Sequence, residues 1–195
     1  MRTVAVHRDA VVITSLMWQT NAVALRAGDE AMLVDSPYYP EELDALEGIL
    51  AGAGFEPDAL IATHADFDHV LGRVAFPGLA LGLAESSVER LRREPGATQR
   101  ELRDKDAELY VERPSPLALG QVQSLPVPGS VELGEHELEL HPAEGHTDDG
   151  CVLRENGTDR SGKCRREPSH TDEDFRSLAI APWAVPLQSL PVAIS

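Results

Sequence analysis

Cysteine is scarce in this chain, aromatic residues are few, and no long apolar run occurs. Only 2 cysteines stand among 195 residues. Cys151 and Cys164 form no C-x-x-C pair and cannot staple a domain of this size, which points to a reducing compartment. No stretch approaches the roughly 20 consecutive apolar residues of a membrane span. Residues 1–10 carry His7, Arg8 and Asp9 where a secretory leader needs an apolar centre, so a cytoplasmic location is expected. Positive charge is short as well: 17 Lys and Arg face 33 Asp and Glu, for a net charge of −16. Phosphate binding needs clustered Lys and Arg, so nucleic acid is not an expected partner, and an acidic surface repels anionic lipid. Arg90, Arg92 and Arg93 read as a solvated helix face.

What is present suffices for a folded domain. Hydrophobic residues make up 42% of the chain, enough to bury a core. Short strands are predicted at 4–6, 11–13, 22–25 and 31–34, the last two joined by the turn Ala27-Gly28-Asp29-Glu30. Leu43, Leu46, Ile49 and Leu50 mark one face of a helix over 41–51, which Gly52 and Gly54 close. Residues 59–62 lack polar alternation, as a strand covered on both faces does. A further strand at 79–83, helices over 85–93 and 97–108, and a hairpin of 131–133 with 137–140 complete the reading. Strands alternating with helices argue for an α/β layered architecture.

Chemistry is concentrated in Thr63-His64-Ala65-Asp66-Phe67-Asp68-His69. Two imidazoles and two carboxylates fall within six residues, directly after a buried strand. A strand end would set 64, 66 and 68 on one side, and a tight loop would converge them further. Imidazole and carboxylate are the ligand types that hold Zn, Fe or Mn, and a bound ion lowers the pKa of water to about 7. His146, in Gly145-His146-Thr147-Asp148-Asp149-Gly150, lies on a glycine-bounded loop after the hairpin, a place where α/β scaffolds put reactive groups. His136 and His141 read as ordinary surface histidines. Trp18 and the pair Tyr38-Tyr39 read as loop or core packing before pocket lining.

Thr63-His64-x-Asp66-x-Asp68-His69 with the later Gly145-His146-Thr147 resembles the metallo-β-lactamase-fold superfamily. Asn21 and Asp35-Ser36-Pro37 fall where that family has early strands and a buried Asp. The resemblance covers about residues 10–153. It implies an αβ/βα sandwich with a metal site at one edge of its sheets. It also implies attack of metal-bound hydroxide on an ester, thioester, lactone, β-lactam or phosphodiester of a small-molecule substrate. Carried over, His64, Asp66 and His146 hold a first metal, while Asp68 and His69 contribute to a second. Asp68 also orients or deprotonates the attacking water. Zn2+ is the leading cofactor.

Two departures qualify the resemblance. Asp66 stands where the family has a second histidine. It either ligates, hardening the site toward Fe or Mn and opening an iron oxidoreductase alternative, or leaves its place to water. Second, periodicity is lost at about Arg154, and no strand followed by Gly-Asp is legible after Gly150. Residues 1–153 are expected to form the domain, and 154–195 an atypical tail, poorly ordered or out of frame. His170, Asp172 and Asp174 are the only later ligand candidates. An incomplete second half implies one tightly bound metal, weak turnover or an inactive fragment, and an apolar sheet face open to self-association.

Overall fold

The structure, a computed structural model, describes residues 1–143 and 145–155. Four antiparallel strands open the chain: β1 (Arg2–His7), β2 (Ala10–Thr14), β3 (Asn21–Ala27) and β4 (Glu30–Val34). Gly28, at φ 62, takes the first position of the two-residue link between β3 and β4, where a hairpin of this length asks for positive φ. Helix α1 (Pro40–Gly52) follows, with Pro40 in its first turn and the Glu42 carboxylate accepting a hydrogen bond from the Tyr39 N–H at 3.2 Å. Leu43, Leu46 and Leu50 are its buried face, as the spacing predicts, and Ile49 is half-buried.

Beyond α1 the strand direction changes. β5 (Ala59–Ile61), β6 (Leu81–Ala84) and β7 (Val122–Leu125) each pair in parallel with the preceding neighbour. The short helix α2 (Gly72–Ala75) lies between β5 and β6. Helices α3 (Glu85–Arg93) and α4 (Ala97–Leu109) lie between β6 and β7. Neither α2 nor β7 is legible in the sequence. β7 has only Val122 and Leu125 as apolar residues, and its pairing with β6 makes it a strand. The result is a 7-stranded sheet in the order β1-β2-β3-β4-β5-β6-β7.

A second sheet of 3 strands, ordered β10-β9-β8, is built from β8 (Gly129–Leu133), β9 (His136–Pro142) and β10 (Cys151–Glu155). The large sheet is therefore a middle layer. On one face Val11, Ile13, Ala24, Leu33, Leu60 and Leu83 pack against Leu43, Leu46 and Leu50 of α1. On the other, Val23, Leu25, Met32, Val34 and Ile61 meet Leu133, Leu138, Leu140 and Leu153 of the small sheet. Successive residues of β3, β4 and β5 go to opposite cores, so these strands lack polar alternation.

This arrangement corrects two expectations. The face expected to lie uncovered is, over these residues, covered by β8–β10. A strand does follow Gly150, since β10 pairs with β9 from Cys151↔Pro142 to Glu155↔Leu138. Arg154 and Glu155, expected to open the atypical tail of 154–195, belong to β10, while the remainder of that tail, the missing Gly-Asp and His170, Asp172 and Asp174 lie outside the described residues. Among the described residues, no helix is long and apolar enough to cross a membrane.

Candidate metal centre

Parallel strands of an α/β sheet expose their carboxyl ends along one edge, and ligands bind there. Asp35 follows β4 and Thr63-His64 follow β5 on this edge. Asp35 sits at φ 61, a left-handed conformation costly for most side chains and tolerated by Asp. Its carboxylate accepts from the Thr63 N–H at 2.8 Å and from Thr63 Oγ1 at 3.0 Å. This fixes the point where β5 turns into the histidine loop.

The loop is tight, not extended. The His69 N–H returns to the Asp66 carbonyl at 3.1 Å, Ser36 Oγ donates to the Asp68 carbonyl at 3.2 Å, and Thr98 Oγ1 donates to the Ala65 carbonyl at 3.1 Å. From the other sheet, the Cys151 N–H donates to the Thr63 carbonyl at 2.8 Å. The Asp149 carboxylate accepts from the Ala65 N–H at 3.2 Å and Ser87 Oγ at 2.8 Å. These bonds draw the loop between β9 and β10 over His64.

His146 thereby meets His64, ring centroids 5.4 Å apart and nearly perpendicular. Asp66 Oδ2 lies 3.3 Å from His64 Nε2 and 3.3 Å from His146 Nε2. One ligand atom from each of the three residues falls within 4.8 Å of the others. Two donors of a tetrahedral Zn2+ site, each about 2.0–2.1 Å from the ion, stand about 3.3 Å apart, so these spacings suit a shared cation. His64 is 3% exposed, yet its Nε2 has no hydrogen-bond partner, because Asp66 at this distance is out of line. His64 Nδ1 is held by Thr63 Oγ1 at 3.1 Å, the support a metal-binding imidazole needs on its other nitrogen. A buried, unpaired nitrogen facing a carboxylate and a second imidazole fits a divalent metal.

Electrostatics agree with this donor set. Burial pushes the Asp66 carboxyl up, but His64 and the Arg90 guanidinium outweigh it and hold the group well below the ordinary carboxylate range. His146 is largely exposed, and a cleft lined by Thr63, His64, Ala143, His146, Thr147, Gly150 and Cys151 opens the centre to solvent. Asp68 and His69 form an adjacent pair. His69 Nε2 lies 3.6 Å from Asp68 Oδ2 while its Nδ1 lies 3.1 Å from Asp35 Oδ2. Burial lowers the His69 pKa, but Asp35 and then Asp68 raise it to about 9. The His69 ring stands 4.0 Å from that of His64, although neither Asp68 nor His69 joins the three-residue group.

The family profile of the metallo-beta-lactamase superfamily matches residues 17–159. The chain belongs to that superfamily. Its fold is shared with MEM-A1, a subclass B3 metallo-beta-lactamase from a soil metagenome library, at TM-score 0.60 and 18% identity, over 84% of this chain and 60% of that one. FEZ-1, the metallo-beta-lactamase of Legionella gormanii, gives TM-score 0.60 and 16% identity with the same coverage, 84% and 60%. SMB-1, solved bound to 2-mercaptoethanesulfonate, matches at TM-score 0.59 and 17% identity over 78% of this chain and 57% of its own. The chain thus spans less than two thirds of these structures. No curated protein matches.

Within this superfamily member, one expectation is overturned. Arg90 is not part of a solvated face: its Nη1 donates to Asp66 Oδ1 at 2.7 Å and to Asp149 Oδ1 at 3.1 Å, while Arg92 and Arg93 do face solvent. Helix geometry separates them, because α3 turns Arg90 toward the histidine loop. Arg90 and Asp149 are the residues that sequence reasoning passed over. No local signal distinguishes Arg90 from its neighbours; Asp149 was visible only as a second acid in a glycine-bounded turn. His136 and His141 pair with Glu155 and Glu139 on the small sheet. Tyr38 is core, its hydroxyl donating to Asp106 at 2.7 Å, whereas Trp18 is 58% exposed beside Phe67.

Proposed function

We propose that this chain is a metal-dependent hydrolase of ester-type bonds in a small molecule, with His64, Asp66 and His146 holding one divalent ion, Zn2+ ahead of Fe or Mn. The supporting observation is the buried, unpartnered His64 Nε2 in one group with an Asp66 oxygen and a His146 nitrogen. Such an ion, when bound, polarises a carbonyl or phosphoryl oxygen and acidifies a coordinated water. The chain itself supplies position and proton transfer. His64 is fixed from behind by Thr63, and His146 closes the set from the opposite sheet.

Asp68, 8% exposed, is the proton acceptor in this reading. As water oxygen bonds to the acyl carbon or phosphorus, its proton passes to the Asp68 carboxylate. The bond to the leaving oxygen or sulfur then breaks, and the same proton goes to that atom. The Asp68–His69 pair offers only two donors, so any second ion is held more weakly. A second reading, a metal-binding protein without turnover, draws on the three-residue donor group, which neither Asp68 nor His69 joins.

Elemental analysis, equilibrium dialysis and a panel of ester, thioester, lactone and phosphodiester substrates with Zn2+, Mn2+ or Fe2+ test both. Uptake of one ion and turnover, both abolished by His64→Ala, support hydrolysis. Full uptake with silence on every substrate favours the second reading, and no uptake by the wild type defeats both.

A further inference from the structure

A carboxylate offers two oxygens, and how many reach a metal is decided by what holds the rest. At Asp66 the division is complete. Oδ2 faces the two imidazole nitrogens at 3.3 Å each, while Oδ1 accepts the Arg90 Nη1 proton at 2.7 Å. Arg90 cannot follow Asp66 freely, because the same Nη1 also donates to Asp149 Oδ1 at 3.1 Å. Asp149 is in turn anchored: it is 5% exposed and receives Ser87 Oγ at 2.8 Å and the Ala65 N–H at 3.2 Å. Ala65 lies between His64 and Asp66 in the chain, so the brace grips the ligand loop by its main chain as well. Guanidinium stays protonated at every working pH, so the brace is permanent.

We propose that Arg90, braced by Asp149, is a positioning residue that presents Asp66 to the metal through Oδ2 alone. This rests on the metal reading above. Arg90 offsets the negative charge of Asp66 and occupies its second oxygen. Without Arg90, Asp66 regains rotation about its χ2 and its second donor, and the centre loses its single arrangement. Partners of this kind typically change metal affinity by about 10–100-fold when removed.

The test uses the full chain and Co2+, whose visible absorption reports coordination number. Affinity is measured by competition with a chromophoric chelator for the wild type, Arg90→Ala, Arg90→Lys, Asp66→Asn and the double variant Asp66→Asn/Arg90→Ala. Circular dichroism confirms the fold of each. Arg90→Ala is expected to weaken Co2+ by about 10–100-fold and to shift the absorption toward the weaker bands of higher coordination. Arg90→Lys, which keeps the charge but not the planar fork, is expected to recover only part of the loss. In the Asp66→Asn background, removing Arg90 should change affinity by less than about two-fold, because the two residues act as one unit.

Wild-type affinity and spectrum in Arg90→Ala overturn the proposal. So does an equal loss in both backgrounds, which would assign Arg90 to the fold alone. If Arg90→Ala does not fold, Arg90→Lys decides by the same spectrum, an unchanged one counting against. A wild-type chain that takes up no Co2+ defeats the metal reading itself, and this inference with it.

Discussion

Asp149 carries more of the centre's geometry than its place in a loop suggests, and acid should reveal it. Burial raises its pKa, but Ser87, the Ala65 N–H and Arg90 outweigh burial and lower it below 3.8. Asp66 and Glu42 are likewise depressed. A carboxyl whose folded pKa lies below its unfolded value adds stability above that unfolded value and loses it as pH falls through the folded one. Melting temperature should therefore drop steeply below pH 3.8, and less steeply in Asp149→Asn. At neutral pH that variant should cost about 1–3 kcal/mol, since one carboxylate oxygen becomes an NH2 that cannot accept from its buried donors. Cys151 makes the opposite case. Burial, with Asp35 and Asp149 nearby, pushes its thiol up to about 12. Only the thiolate reacts, so iodoacetamide at pH 8 should label Cys151, followed by peptide mass spectrometry, only after unfolding. The candidate donors of the 64–69 loop were legible at this scale because their chemistry is written locally, in Asp and His packed together, and His146 by its glycine-bounded turn. Arg90 was not, because what separates it from Arg92 is the direction in which α3 turns it.

Among the elements, the strands that feed both cores were readable from their unbroken apolar character, and α1 from its single leucine face. β7 and α2 were not, since each is short and owes its conformation to a neighbour. The small sheet shows how firmly the layers are joined. Gly134, at φ 56, sits in the link between β8 and β9, where an added Cβ would fall 2.6 Å from the Ala27 carbonyl at the tip of the β3–β4 hairpin. Its N–H donates to Glu30 Oε2 at 2.9 Å. Gly134→Ala should therefore destabilise by more than the roughly 1 kcal/mol of a solvent-exposed left-handed position, measured by urea unfolding. Leu140 is fully buried between the sheets, and Leu140→Ala should cost about 2–5 kcal/mol on the same scale. A loss below 1 kcal/mol would mean that the small sheet does not pack where it stands.

For the molecule as a whole, one donor group among the described residues predicts one tightly held ion per chain. Metal analysis after gel filtration should return close to one equivalent, and the melting temperature should rise with metal concentration, as mass action requires. Two tightly bound equivalents would refute it. That centre joins positions far apart in the chain: the Cys151 N–H meets the Thr63 carbonyl at 2.8 Å, and His146 arrives only with that register. A nascent chain emerging from the ribosome therefore displays His64 and Asp66 long before their third companion. On the proposed metal reading, an ion met before Cys151 has zipped onto the end of β5 finds only two of its three donors. Capture by all three donors, on that reading, therefore waits on the pairing of the last described strand.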